Sequence, residues 1–270
     1  MRILHVHDCA GVGALLVKLL NDAGLDAELI VRESIDRFGI ERFYMVRGAR
    51  VRLLSDSPKK FVFRILNIAR KFDVLHLHSL DKVVPILKIA YPGKRVILHY
   101  HGSDIRDAWH ARRKYWSRAD AILVSTPDLL SGAPEVATWL PNPVDTEHFK
   151  PLEEVTRAKD EVLYFRLPYE DLDRALERVR KLGLKPVVSD RNVEYSALPH
   201  LLNRYEYFAD RYSIPSLSKT ALEALACGLK VVRWDGRIIE GLPREHEPDN
   251  VFAKYLQLLS ELECARSRQL

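Results

Sequence analysis

The stretch Ile97–Gly102 reads ILHYHG, and its like occurs twice upstream, as ILHVHD at Ile3–Asp8 and VLHLHS at Val74–Ser79. Each is a short run rich in Val, Ile and Leu that ends in His-x-His and gives way to polar or glycine residues, then to a helix-like stretch. Buried parallel strands of an α/β sheet read in this way. Alternate residues of a strand share a face, so each histidine pair stacks on one side of its sheet, with His7, His78 and His101 at the carboxyl edge. Open α/β sheets bind ligands at that edge. Three separate strands thus bring titratable, hydrogen-bonding groups to one expected crevice.

Depth separates the six. His5, His76 and His99 lie one pleat further in and read as core histidines, whereas His7, His78 and His101 are placed to touch a ligand. Zinc is conceivable, because imidazole is a common metal ligand and Asp8 and Cys9 are close by. The pairs, however, are two apart on separate strands and have no Cys-x2-Cys or His-Glu-x2-His companion, so the sequence points to no metal.

The chain has 270 residues, 47% of them hydrophobic, enough for one large core or two modest ones, and its length favours two domains. No apolar stretch is long enough to span a bilayer, and the sequence opens directly into a strand, so a cytoplasmic protein is expected. Cys9, Cys227 and Cys264 are odd in number and far apart, which suits a reducing interior better than a disulfide framework. The net charge of +5 is mild but uneven. Arg42, Arg47, Arg50, Arg52, Lys59, Lys60, Arg64, Arg70 and Lys71 crowd one segment, interleaved with Phe43, Tyr44, Val51, Leu53, Leu54, Phe61 and Phe63. Such a segment is either a solvated basic face or a surface for a phosphate-rich partner, such as an anionic membrane. Peripheral attachment to the inner face of the membrane is the second expectation, and nucleic acid is not among the expected partners.

Strands and helices alternate along the first half. Arg2–Val6 reads as strand, Val12–Ala23 as helix closed by Gly24, Ala27–Arg32 as strand, Lys60–Lys71 as helix and Val74–Leu77 as strand. Asp81–Ile89 looks helical, RVILHY is strand, Asp104–Trp116 helix and AILVS strand, a doubly wound, mainly parallel sheet. Pro141, Pro143 and Pro151 bracket a segment that is neither ordinary helix nor central strand, and the linker is placed there. The expected domains are 1–145 and a shorter 146–270. In the second, EVLYFR, KPVVS and LKVVRW read as strands, Asp171–Leu182 and LSKTALEALACG as helices, LNRYEYF is ambiguous, and Asn250–Leu262 is a closing helix. Ser218 or Ser216 is a natural N-cap, and the donors and dipole of such a helix end, with Lys219 beside it, suit an anion.

Four stretches carry a resemblance: AGVGALLVKLL (Ala10–Leu20), HGSDIR (His101–Arg106), LPNPVDTEHFKP (Leu140–Pro151) and PSLSKTALEALACGLKVV (Pro215–Val232). In order and spacing they resemble the motifs of the family-4 retaining glycosyltransferases with the GT-B fold, the linker motif and the LEALACGLKVV run being the specific ones. The resemblance implies an α/β protein of two Rossmann-like domains facing a cleft, with acceptor on the amino-terminal side and nucleotide-sugar donor on the carboxyl-terminal side. His101 and Glu223 match the family's catalytic histidine and its second, ribose-binding glutamate. Gly11, Gly13, Arg166, Ser218, Lys219, Thr220 and Glu223 are expected at the donor, and Asp8, His78, Ser79 and Asp104 on the acceptor side. No cofactor and no metal are implied.

Two family groups are missing. Pro215 stands where the first donor glutamate is expected, and LPYEDLD offers no clear counterpart to the lysine after Arg166. Lys219 and the amides after Ser218 are the substitutes at hand for stabilising a phosphate leaving group. The expectation is a metal-independent retaining glycosyltransferase that moves a sugar from a nucleotide-sugar donor to an acceptor hydroxyl, on a lipid-linked or polysaccharide acceptor. The alternative is a catalytically silent glycosyltransferase-like binding protein or partner subunit. A nucleotide-sugar epimerase of related architecture fits the linker motif less well.

Overall fold

All three His-x-His runs are strands of one parallel sheet in the computed structural model, which describes residues 1–267. In chain order the first part runs Arg2–Val6 (β1), Val12–Asp22 (α1), Asp26–Arg32 (β2), Ile40–Val46 (α2), Val51–Leu54 (β3), Pro58–Ala69 (α3), Val74–His78 (β4), Val84–Ala90 (α4), Arg95–Tyr100 (β5), Trp109–Trp116 (α5), Ala121–Val124 (β6) and Ala137–Trp139 (β7). The strands lie in the order β3-β2-β1-β4-β5-β6-β7 and every pair is parallel. Strand order reverses between β1 and β4, the switch point outside which doubly wound sheets open a crevice.

One face of this sheet is aliphatic: Leu4, Val6, Leu75, Leu77, Val96 and Leu98 pack with Phe61, Ile65 and Ile68 of α3 and with Leu87 of α4. At ~1.5–3 kcal/mol for each large apolar side chain fully buried, this layer is ample to hold the sheet. Strand alternation puts His5, His76, His78 and His99 on the opposite face.

The second part runs Ala158–Phe165 (β8), Leu172–Arg180 (α6), Lys185–Ser189 (β9), Leu198–Asn203 (α7), Tyr205–Ala209 (β10), Lys219–Ala226 (α8), Lys230–Val232 (β11), Ile238–Ile239 (β12) and Pro248–Ser267 (α9). Its sheet has the order β12-β11-β10-β8-β9, parallel except for the β12 edge. Val162, Tyr164, Leu176, Val179 and Val232 form its core with α6. The ambiguous LNRYEYF divides into the end of α7 and the start of β10.

By contacts the chain forms two units, Met1–Pro143 with the chain from Asp249 onward, and Val144–Pro248. This differs from the expected division at 145, with the second domain running on to 270. The reason is α9, whose Val251, Tyr255 and Leu259 are buried and whose Tyr255 bonds histidines of the first sheet. Two elements also depart from the periodicity. The basic segment between Arg32 and Lys60, where the periodicity gives no element, holds α2 and β3, and the helix expected from Asp104 starts only at Trp109. Among the described residues no helix is long and apolar enough to cross a membrane.

Candidate active site

Register sets the histidines side by side. His5 pairs with His76 across β1 and β4, and His78 with His99 across β4 and β5, so the rings form a continuous patch. Centroids lie 4.4 Å apart for His76 and His78 and 4.2 Å apart for His99 and His101. A chain of hydrogen bonds runs through them: His76 Nδ1 to Tyr255 Oη at 2.7 Å, Tyr255 Oη to His5 Nε2 at 3.2 Å, His5 Nδ1 to His78 Nε2 at 3.1 Å and His78 Nδ1 to His101 Nε2 at 2.9 Å. Burial holds the rings neutral, with His5 lowered to about 3, His101 to about 4, and His76, His78 and His99 well below the ordinary value. The cause is the lost hydration of the imidazolium.

The sequence expectation divided these residues by depth, and the structure divides them differently. His78, expected at the carboxyl edge with His7 and His101, is fully buried. A last strand residue is still enclosed when loops from both neighbouring strands fold over it. His7 has left the strand with a φ of 67° and is half-buried, as is His101. Among the described residues, His99, read as a satisfied core residue, has no partner for either ring nitrogen, and His76 Nε2 has none. Each such group costs ~1–3 kcal/mol, so the patch is maintained against its own energetics.

Loops after β1, β4 and β5 close over this patch at the switch point. Asp8 accepts from the backbone amides of Cys9 (2.6 Å), Gly13 (2.7 Å) and Ala14 (3.0 Å). Its carboxylate therefore occupies the first-turn amides of α1, and the loop of Gly11 and Gly13, expected at the donor phosphates, already holds an anion of its own. Gly11, at φ 78°, is the left-handed residue that turns the chain into α1. Asp104 does the same for the loop after β5, accepting from the amides of His101 (3.0 Å) and Gly102 (2.7 Å) and from Ser79 Oγ (2.6 Å). Cys9 Sγ lies 3.3 Å from Ser79 Oγ, joining the loops on either side of the switch point. Its thiol is pushed up to about 12, burial being the main cause, which makes it no ready metal ligand or nucleophile. Of the expected acceptor-side set, the structure thus brings Ser79 and Asp104 together with His101, and His78 beneath it.

Glu41 on α2 is a residue sequence reasoning missed. It is buried, and desolvation together with Asp8 and Asp36 pushes its carboxyl up to about 10. Nothing in its local sequence, an exposed-looking IERF turn, signals this. Tyr255 was missed as well, for it reaches the histidines from 179 residues away in sequence.

In the second unit, Ser218 caps α8 as expected, its Oγ accepting from Ala221 N at 3.1 Å while its own N–H donates to Asp210 at 2.9 Å. Lys219, expected to face phosphate, has its Nζ 3.4 Å from Glu223 Oε1 one turn on, with both side chains buried. Burial raises the Glu223 carboxyl, and Lys219 and Arg191 oppose the rise. Tyr195 Oη donates to the same Oε1 at 3.5 Å, and Oε2 has no partner. Thr220 Oγ1 accepts from Arg191 at 3.0 Å, a further cation the sequence did not single out. Arg166 is largely exposed after β8, with its Nε 3.9 Å from Asp190, the residue that precedes Arg191.

Among the described residues, two groups of histidine nitrogens lie within 4.8 Å of one another, His5-His76-His78 and His78-His99-His101.

No protein-family model matches the sequence, and no curated protein matches it. Among solved structures, the UDP-GlcNAc 2-epimerase from Neisseria meningitidis bound to UDP-GlcNAc is similar over 99% of this chain and 93% of its own, at 12% identity and a TM-score of 0.52. The calicheamicin glycosyltransferase CalG4 aligns over 95% and 89% of the two chains at 12% identity and a TM-score of 0.47. The E. coli ADP-heptose lps heptosyltransferase II aligns over 97% and 100% at 9% identity and a TM-score of 0.40. At such identity the likeness to the epimerase is one of fold, and with the two parallel sheets it establishes an α/β protein of two Rossmann-like units, the GT-B fold.

Proposed function

We propose that the chain is a retaining glycosyltransferase of the family-4 type that takes a sugar from a nucleotide-sugar donor to an acceptor hydroxyl. The observation that supports this best is His101. It stands half-buried and neutral at the carboxyl end of β5, tied through Nε2 to His78, and among the described residues its Nδ1 has no hydrogen-bond partner. An imidazole so fixed offers one oriented hydrogen bond to a sugar hydroxyl without adding charge. In the transfer, the bond from the anomeric carbon to the leaving phosphate oxygen breaks, a bond to the acceptor oxygen forms on the same face, and the proton of the acceptor hydroxyl passes to the departing phosphate. The departing charge calls for cations, for which Lys219, Arg191 and the α8 amides are the candidates, with Ser218 and Thr220 beside them. The solved structure bound to UDP-GlcNAc supports a nucleotide-sugar ligand for this fold. A lipid-linked acceptor fits the basic α3 face, which we place at an anionic membrane surface.

The silent binding protein is the second reading. Lys219 is engaged by Glu223, Pro215 replaces a donor glutamate, and Arg166 is largely exposed beside Asp190, all of which favour binding without transfer. Thermal shift against a panel of nucleotide sugars, followed by product analysis, separates the readings. Stabilisation with release of nucleoside diphosphate and a retained anomer supports transfer. Stabilisation with no turnover supports the silent reading, and an epimerised nucleotide sugar supports epimerase chemistry. No stabilisation by any nucleotide sugar overturns the donor assignment. In an active protein, His101→Ala should lower kcat/KM by at least tenfold, about 1.4 kcal/mol in the barrier.

A further inference from the structure

We infer that His78, His99 and His101 form a nitrogen site for one transition-metal ion of the Zn2+ class. Three side chains from adjacent strands present ring nitrogens within 4.8 Å of one another. Both nitrogens of His99 are buried without any partner, an arrangement that a metal ion taking one lone pair relieves directly. Imidazole suits Zn2+, Cu2+ and Ni2+, whereas Mg2+ prefers oxygen. The site would therefore not serve as the oxygen-ligated ion of a diphosphate; it shares His101 with the transferase reading, and its test needs neither donor nor acceptor.

The hydrogen-bond chain behind the site is open to the direction a metal requires. A His78 that gives Nδ1 to the ion carries its proton on Nε2 and donates to His5 Nδ1 at 3.1 Å. His5 then donates from Nε2 to Tyr255 Oη, and Tyr255 donates to His76 Nδ1. His78, His5 and Tyr255 each then use one donor and one acceptor, the row ending on His76, and a ligand histidine anchored through its second N–H is the usual supporting shell of a bound metal. The other cluster, His5-His76-His78, is the weaker candidate because both nitrogens of His5 and Nδ1 of His76 are already engaged by His78 and Tyr255. His78 Nδ1 and His101 Nε2 stand 2.9 Å apart. Two ligands of a tetrahedral Zn2+ at about 2.0–2.1 Å are about 3.3–3.4 Å apart, so for this pair a slight outward turn of the half-exposed His101 suffices, while His99, within 4.8 Å of both, closes in to complete the set. His101 also provides the path of entry, and leaves the fourth position for water or ligand.

The test uses the full chain, stripped with EDTA and kept free of nucleotide, titrated with Zn2+ against a chromophoric chelator and with Co2+ for visible d–d absorption. One ion per chain and a four-coordinate Co2+ spectrum are expected. His101→Gln and His99→Gln should each weaken Zn2+ at least tenfold, Tyr255→Phe, which acts through His5, by less than the loss of a ligand, and the exposed His110→Gln not at all. If the His99 variant does not fold, the half-exposed His101 decides. Absence of stoichiometric binding at micromolar Zn2+, or unchanged affinity in His101→Gln, would falsify the site. Either result leaves nucleotide-sugar binding untouched, because no nucleotide enters the measurement.

Discussion

A Cβ on Gly13 would lie 3.1 Å from His78 Nε2 and 3.2 Å from Asp8 Oδ1. Both neighbours are buried and hydrogen-bonded, so neither gives way cheaply. Gly13→Ala is expected to cost ~1–3 kcal/mol, read as a lower urea midpoint at unchanged m-value. Gly93→Ala, with nothing within 4 Å, should stay within ~0.5 kcal/mol of wild type; equal effects in both would defeat the steric account. From sequence, Gly11-Val12-Gly13 resembles a loop that approaches phosphate. Its true neighbour is a carboxylate five residues earlier, and whether Asp8 points inward or to solvent depends on the turn made by His7 and Ala10, both at positive φ. A linear reading has no access to that turn.

The α3 helix shows what happens to a charge run once it folds. Arg42, Arg50, Arg52 and Arg64 are paired with Glu33 and Asp36, Asp26, Glu28 and Asp56 respectively, and Tyr44, Val51 and Phe61 belong to the core. Among the described residues, Lys59, Lys60, Arg70 and Lys71 keep no acidic partner, and Phe63 is 73% exposed beside them. Each cation near an anionic surface contributes ~1 kcal/mol. Sedimentation with anionic vesicles at low ionic strength is therefore expected to carry the protein down. High salt should release it, and a Lys59→Glu, Lys60→Glu, Phe63→Ser variant should stay in solution. Equal partition onto neutral vesicles would return this face to plain solvation. The α5 helix carries a related lesson: its sequence pattern extends back to Asp104, but that carboxylate caps the loop amides of His101 and Gly102 and Ser79 Oγ, delaying the helix to Trp109.

The return of α9 to the first sheet is a property of the whole molecule. Its Val251, Tyr255 and Leu259 are buried, worth ~1.5–3 kcal/mol apiece against a total stability of ~5–15 kcal/mol for an ordinary domain. A chain stopped before Asp249 is therefore expected to lose the packed state of the first unit, seen as fast amide exchange across β1, β4 and β5; full protection there would show that α9 is dispensable. The alternation of apolar runs with amphipathic stretches determined by itself that this is an α/β protein with two parallel sheets, and it placed the strands that carry the histidines. Periodicity does so because each element's buried face is a local property of spacing. Which helix covers the histidine face, which carboxylates are consumed by amides, and that Lys219 turns to Glu223 were decided only in the tertiary structure. They depend on contacts between residues far apart in the chain, or on side-chain choices between solvent and a buried partner, and those energies exist only after the sheets have formed.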